Sequence, residues 1–259
     1  MMRSPFHMVE MSPWPILGSF SALLLAVGFV DWFSSGTLWS IGCGVLPMLL
    51  VMYQWWRDVV RESDQGWHTS YVAKNIRMGM ALFIVSEVFF FFGFFWAFFS
   101  SSLVPSVEVG GVWPPVGIQT LNALKVPLLG TAVLLLTGVT VTWAHHAVLA
   151  RKREEALLGL GFTVLWGFYF MVLQLLEYFR STFTIADGIY GSLFYVMTGF
   201  HGIHVLIGVV FLSVCAWRCL NFGFSSGRHL GLDAAVWYWH FVDVVWITVF
   251  LCVYWWGGS

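Results

Sequence analysis

Between Met78 and Phe99 the chain runs for 22 residues (MGMALFIVSEVFFFFGFFWAFF) in which Glu87 is the only charged side chain and nine residues are phenylalanine. A stretch this long and apolar is a bilayer-spanning helix, because roughly 20 such residues cross about 30 Å of hydrocarbon. An ionised carboxylate near its middle costs on the order of 2.5 kcal/mol or more. Glu87 is therefore expected to be protonated, partnered, or both.

The rest of the chain has the same character. Hydrophobic residues make up 59% and charged residues 10%, with a mean hydropathy of +0.81, which describes an integral membrane protein and not a soluble domain. Stretches without Asp, Glu, Lys or Arg lie at Trp14 to Val30, Thr37 to Trp56, Met78 to Phe99 (Glu87 apart), Val126 to Ala150, Ala156 to Leu176, Gly188 to Trp217 and Ala234 to Trp256 (Asp243 apart). They are too long and too uniformly apolar for the alternating segments of about 10 residues in a membrane barrel. The expected fold is all-α, with seven transmembrane helices.

Positive charge tests that count, since Lys and Arg gather on the side from which insertion occurs. With seven crossings, ten basic residues (Arg3, Arg57, Arg61, Lys74, Arg77, Arg151, Lys152, Arg153, Arg218 and Arg228) share the N-terminal side, and only Lys125 and Arg180 face the other. A missed or added span would scramble the bias. The first residues, MMRSPFHMVEMSPWP, read as neither a secretory signal nor an Arg-rich transit peptide, so insertion from the compartment of synthesis is expected. Of the longer connections, Arg57 to Arg77 is charged and sets the first helix pair off from the rest. The other, Ser100 to Lys125, carries GGVWPPVG and is expected to be a turn-built, fixed loop. Cys43, Cys215, Cys219 and Cys252 form no CxxC pair and are expected to be buried free thiols.

Several polar groups lie within or beside the spans. His145 and His146 are adjacent in TWAHH, and holding a metal would require a third ligand from elsewhere in the chain, so interfacial or hydrogen-bonded histidines are expected. His201 and His204 in GFHGIH share a helix face beside Gly199 and Gly202, where small residues let a neighbouring helix approach. Each is expected to donate to a carbonyl or carboxylate on that neighbour. His240 and Asp243 in WYWHFVDVVW also share a face, as a polar pin or as a step in a proton relay. Glu177 is expected at the partly wet end of the fifth span. Trp55, Trp56, Arg57, Arg61, His68 and Arg218 form a basic and aromatic set at head-group depth, fit for lipid phosphates or simply for the positive-inside bias. No phosphate loop, HExxH, GxSxG or CxxCH motif occurs, and nothing reads as an active site.

Longer motifs carry a family resemblance: HMVEMSPWP, MYQWWRDVVRES, SEVFFFFGFFWAFF, GGVWPPVGI, TWAHH, FTIADGIYGSLFYVMTGFHGIHV and WYWHFVDVVWITVFLCVYWW. In these the chain resembles subunit III of cytochrome c oxidase, of the mitochondrially encoded type, over essentially its whole length. The resemblance implies one membrane domain over residues 1–259, with a helix pair at about 14–62 and five helices at about 69–256, parted by a V-shaped cleft that holds phospholipid. It implies a subunit in the mitochondrial inner membrane, N-terminus on the matrix side, packed on catalytic subunit I of a proton-pumping, O2-reducing complex. Haem and copper would belong to the partner subunits, with no metal or catalytic residue in this chain. Carried over by motif, Trp56, Arg57, Arg61, His68 and Arg218 are implied lipid contacts. Glu87 matches the family's buried carboxylate, and His7 a histidine at the mouth of a proton-uptake path. After WAFF, where many members carry histidine, this chain has Ser100. The alternative function is a stand-alone proton-coupled transporter relaying through Glu87, His201, His204, His240 and Asp243, although no inverted repeat or broken-helix pair supports it.

Overall fold

The structure is a computed structural model and describes residues 6–258. Arg3, one of the ten basic residues assigned to the N-terminal side, lies outside the described residues. Seven α-helices follow one another: α1 Trp14–Ser35, α2 Trp39–Asp64, α3 Ser70–Leu103, α4 Val126–Leu149, α5 Arg153–Arg180, α6 Gly188–Leu220 and α7 Leu230–Val249. The last continues as a π-helical stretch, Phe250–Trp256. Among the described residues there is no strand, and one isolated bridge joins Ser225 to Arg228.

Six of the helices are long and apolar enough to cross a membrane. The exception is α2. Its 26 residues suffice for a crossing at about 1.5 Å each, but Pro47, Tyr53 and Gln54 dilute its apolar part, and charged residues fill its last two turns. Most helices overrun their charge-free stretches, α3 by eight residues at its start and α5 by four at its end. Charge marks where hydrocarbon stops, whereas the helix goes on while long side chains carry their charges out to the head groups.

The chain divides into two units, Met1–Ile76 and Arg77–Ser259, with the boundary inside α3. In the first unit, α1 and α2 form a hairpin whose backbones nearly touch. A Cβ on Gly28 would lie 2.6 Å from the Ser40 carbonyl oxygen, and one on Gly44 would run into the Leu25 backbone. Lipid offers apolar surface as good as any side chain, so membrane helices associate through such close backbone packing. Gly36, at φ 74°, caps α1 by donating its N–H to the Trp32 carbonyl, and the Ser40 hydroxyl bonds Asp31 across the turn. At the opposite end the Trp14 indole donates to Asp58 over 2.7 Å.

In the second unit the core is built mainly from α4 to α7. Trp239 of α7 is completely buried, pressed between Gly167 of α5 and Gly208 of α6, and its Nε1–H donates to Thr137 of α4 at 2.9 Å. Two turns on, Trp246 donates to Thr131 of the same helix, also at 2.9 Å. One α7 face thus locks onto α4 through two indole bonds seven residues apart. The loop before α4 is turn-built: Val107–Val109 forms a short 3-10 turn, and Gly110, Gly111 and Gly117 take left-handed backbone. Its Trp113 packs edge-on against Phe98 and tilted against Tyr190, and Thr120 donates to the Gly258 carbonyl. All four cysteines are free, but only Cys215 and Cys219 are buried; Cys43 is exposed, because an apolar residue in a lipid-facing helix need not enter a core.

Candidate functional site

Glu87 meets its partner on α6. Its Oε2 lies 2.8 Å from His204 Nε2, and His204 Nδ1 lies 2.6 Å from the Phe200 carbonyl oxygen. A carbonyl only accepts, so Nδ1 carries a hydrogen, and one further proton is shared between Nε2 and the carboxyl group. Phe90, Phe91, Tyr238 and Phe241 surround the imidazole at ring separations of 5.1 to 6.3 Å. Ser86, beside Glu87 in sequence, instead donates to the Phe83 carbonyl.

The other polar residues of the spans bond separately. His201 is buried, and its Nε2 donates to the Val242 carbonyl of α7 at 3.2 Å. His240 Nδ1 stands 3.7 Å from Asp243 Oδ2, while its Nε2 lies 3.3 Å from the Thr142 hydroxyl of α4. Asp243 is buried against Gly138, and together these four residues line part of an open groove of about 430 Å³ between α4 and α7. Glu177 is buried rather than wet: α5 runs on for three residues beyond it, and the Tyr254 hydroxyl donates to its Oε2 at 3.3 Å. Glu87 and His204, His201, and His240 with Asp243 are three sets of bonds, each tying one helix to another.

At the basic end of the first unit, Arg57 grips Asp58 with Nε and Nη2 at 3.1 and 3.0 Å, and Arg61 approaches the same oxygen at 3.7 Å. The Trp14 indole bond, followed by the Arg57 guanidinium, holds the Asp58 carboxyl below the usual carboxylate range. Trp56 next to them is exposed. His7 stacks on Trp67 at 5.7 Å, meets His68 edge-on at 6.0 Å and lies 3.9 Å from Glu62. The second unit holds Arg218, whose guanidinium sits 4.7 Å over the Phe224 ring at the end of α6.

A further cluster escaped the sequence reading. His145 of α4 brings Nε2 to 2.9 Å from Asp233 Oδ1, and His229, the residue before α7, brings Nε2 to 3.5 Å from that oxygen. Arg77 of α3 takes the other oxygen through Nε at 3.2 Å and Nη2 at 2.8 Å. Among the described residues, two sets of three potential ligand atoms lie within 4.8 Å of one another: His7, Glu62 and His68, and His145, His229 and Asp233. The sequence signal was GRHLGLD, where His229 and Asp233 stand one turn apart at the entrance to the last helix.

Similarity to known proteins covers the same ground. The sequence profile of a family described as cytochrome c oxidase subunit III matches residues 4–258. The chain belongs to the cytochrome c oxidase subunit III family. Curated subunit 3 proteins from Osphranter robustus and Struthio camelus are each 56% identical to it over 254 residues, covering 98% of this chain and 97% of theirs. The one from Branchiostoma lanceolatum is 57% identical over 255 residues with the same coverage. The subunit III match takes in both units, including the Glu87 and His204 pair, the Trp239 lock and the His145, His229 and Asp233 cluster.

Proposed function

We propose that the chain is a non-catalytic subunit of cytochrome c oxidase in the mitochondrial inner membrane, with its N-terminus on the matrix side. It packs on catalytic subunit I, holds structural phospholipid and supports O2 access and proton uptake. The observation that carries this reading is the family match over residues 4–258. The distribution of Lys and Arg supports the orientation, since ten of twelve fall on one side of a seven-span topology. The polar residues within the spans support a structural role, because the bonds of Glu87 with His204, His201 with the Val242 carbonyl and His240 with Thr142 each join two helices. Haem and copper belong to the partner subunits.

Phospholipid sits, in this reading, in a cleft between α1 and α2 on one side and the other five helices on the other. Its head groups contact Trp56, Arg57, Arg61, His68 and Arg218, and His7 lies at a proton-uptake mouth. Guanidinium groups suit this task because they bind phosphate through charge-assisted, often bidentate hydrogen bonds. Arg218→Ala is expected to weaken retention of an anionic lipid, with about 1.5–3 kcal/mol of charged hydrogen bonding removed. Lipid stoichiometry by native mass spectrometry of the purified complex tests this, and unchanged lipid content contradicts it.

A further inference from the structure

The geometry points to a divalent-cation site of the zinc class at His145, His229 and Asp233. His229 is oriented by its own turn. Its Nδ1 lies 3.1 Å from the Ser225 carbonyl oxygen, which can only accept, so the ring hydrogen is on Nδ1 and Nε2 presents a lone pair. That lone pair faces Asp233 Oδ1 at 3.5 Å. His145 Nε2 converges on the same oxygen at 2.9 Å. Two imidazole nitrogens and a carboxylate oxygen aimed at one point repel unless a proton or a metal ion lies among them.

A tetrahedral zinc ion with ligands at about 2.0–2.2 Å requires ligand atoms about 3.3 Å apart. The 3.5 Å separation already meets that, His145 draws back slightly from its 2.9 Å contact, and the two imidazole nitrogens, which lie within 4.8 Å of each other, close the third edge as the ion binds. Two histidines and one carboxylate are a donor set that zinc accepts, leaving a fourth position for water.

The supporting bonds also fit. Carbonyl acceptance at Nδ1 is the usual way a ligating imidazole is oriented, and Arg77 holds Asp233 Oδ2 so that Oδ1 faces the imidazoles. The turn carrying His229 is braced by the paired backbone bonds of Ser225 and Arg228, at 3.1 and 3.0 Å. His145 and His229 are partly accessible at 24% and 13%, enough for an ion to enter without unfolding the end of the bundle. Bound there, the ion ties the end of α4 to the start of α7, and through Asp233 to Arg77 of α3.

The test uses the intact purified complex exposed to Zn²⁺, with Mg²⁺ as the control. Anomalous diffraction at the zinc edge is expected to place a peak among His145 Nε2, His229 Nε2 and Asp233 Oδ1. In solution, Zn²⁺ protects His145 from carbethoxylation, read by peptide mass spectrometry, while the exposed neighbour His146 reacts unchanged. His229→Gln abolishes the protection with little disturbance of the fold, and Arg77→Gln weakens it by roughly tenfold through loss of the bond that orients the carboxylate. No zinc peak at the three residues overturns the site. So does equal protection by Mg²⁺, or Zn²⁺ protection that survives His229→Gln, and in those cases a shared proton alone holds the cluster.

Discussion

Replacing Glu87 separates two ways of stabilising a carboxyl group inside the membrane: by a hydrogen bond or by a charge pair. Because the Phe200 carbonyl takes the Nδ1–H of His204, Nε2 of a neutral ring needs a donor, and the acid O–H of Glu87 supplies it over 2.8 Å. In Glu87→Gln an amide N–H donates to the same lone pair from a side chain of nearly the same shape, so the change in stability is expected to stay within about 1 kcal/mol. In Glu87→Ala the imidazole nitrogen loses its partner among the aromatic rings, at about 1–3 kcal/mol for an unsatisfied polar group plus the packing lost with the side chain. The assay is the temperature at which the subunit leaves the purified complex in detergent, with turnover and proton pumping measured in parallel. The expected order is wild type close to Glu87→Gln and well above Glu87→Ala, with turnover and pumping kept in the Gln variant. Equal damage from both variants refutes the hydrogen-bond account, since removing one member of a charged pair costs more than an amide can restore.

Gly208→Ala places a Cβ 2.7 Å from a Trp239 ring that Gly167 confines on another side, so an overpacking loss of about 1–3 kcal/mol is expected in thermal release of the subunit. Gly161→Ala meets no atom within 4 Å and is the control, neutral or stabilising by up to about 1 kcal/mol. For Asp58 the folded-state value is depressed, so its contribution is present above the unfolded carboxylate range near about pH 4 and is lost as pH falls through the lower folded value. Hydrogen exchange in α1 is expected to rise in acid, and Asp58→Asn to remove that pH dependence along with the ionised acceptor for Trp14.

The spans were legible because hydrocarbon imposes a length and forbids charge, and both conditions can be read residue by residue. Their true ends were not, since Lys74, Arg77, Arg153 and Arg180 all sit within helices that continue beyond the hydrocarbon. Local pattern also put His201 and His204 on one face toward a neighbouring helix. It could not say which neighbour, because adjacency among α3, α6 and α7 is a tertiary property, and the two histidines bond different helices. For the same reason the pattern TWAHH does not show which residues His145 meets. His229 and Asp233 lie over 80 residues away in the chain, and only the packing of α7 on α4 brings them to His145. Cys43 and Glu177 show the converse: apolar surroundings in sequence do not tell whether a side chain faces lipid or core, nor does nearness to a span's end tell whether it is wet.

Haem and copper content, measured in the purified oxidase before and after selective release of this subunit, tests the non-catalytic role most directly. The account predicts that both metals and the haem absorption spectrum stay with the remaining complex while this chain leaves with bound phospholipid. Haem or copper lost in step with the subunit contradicts it.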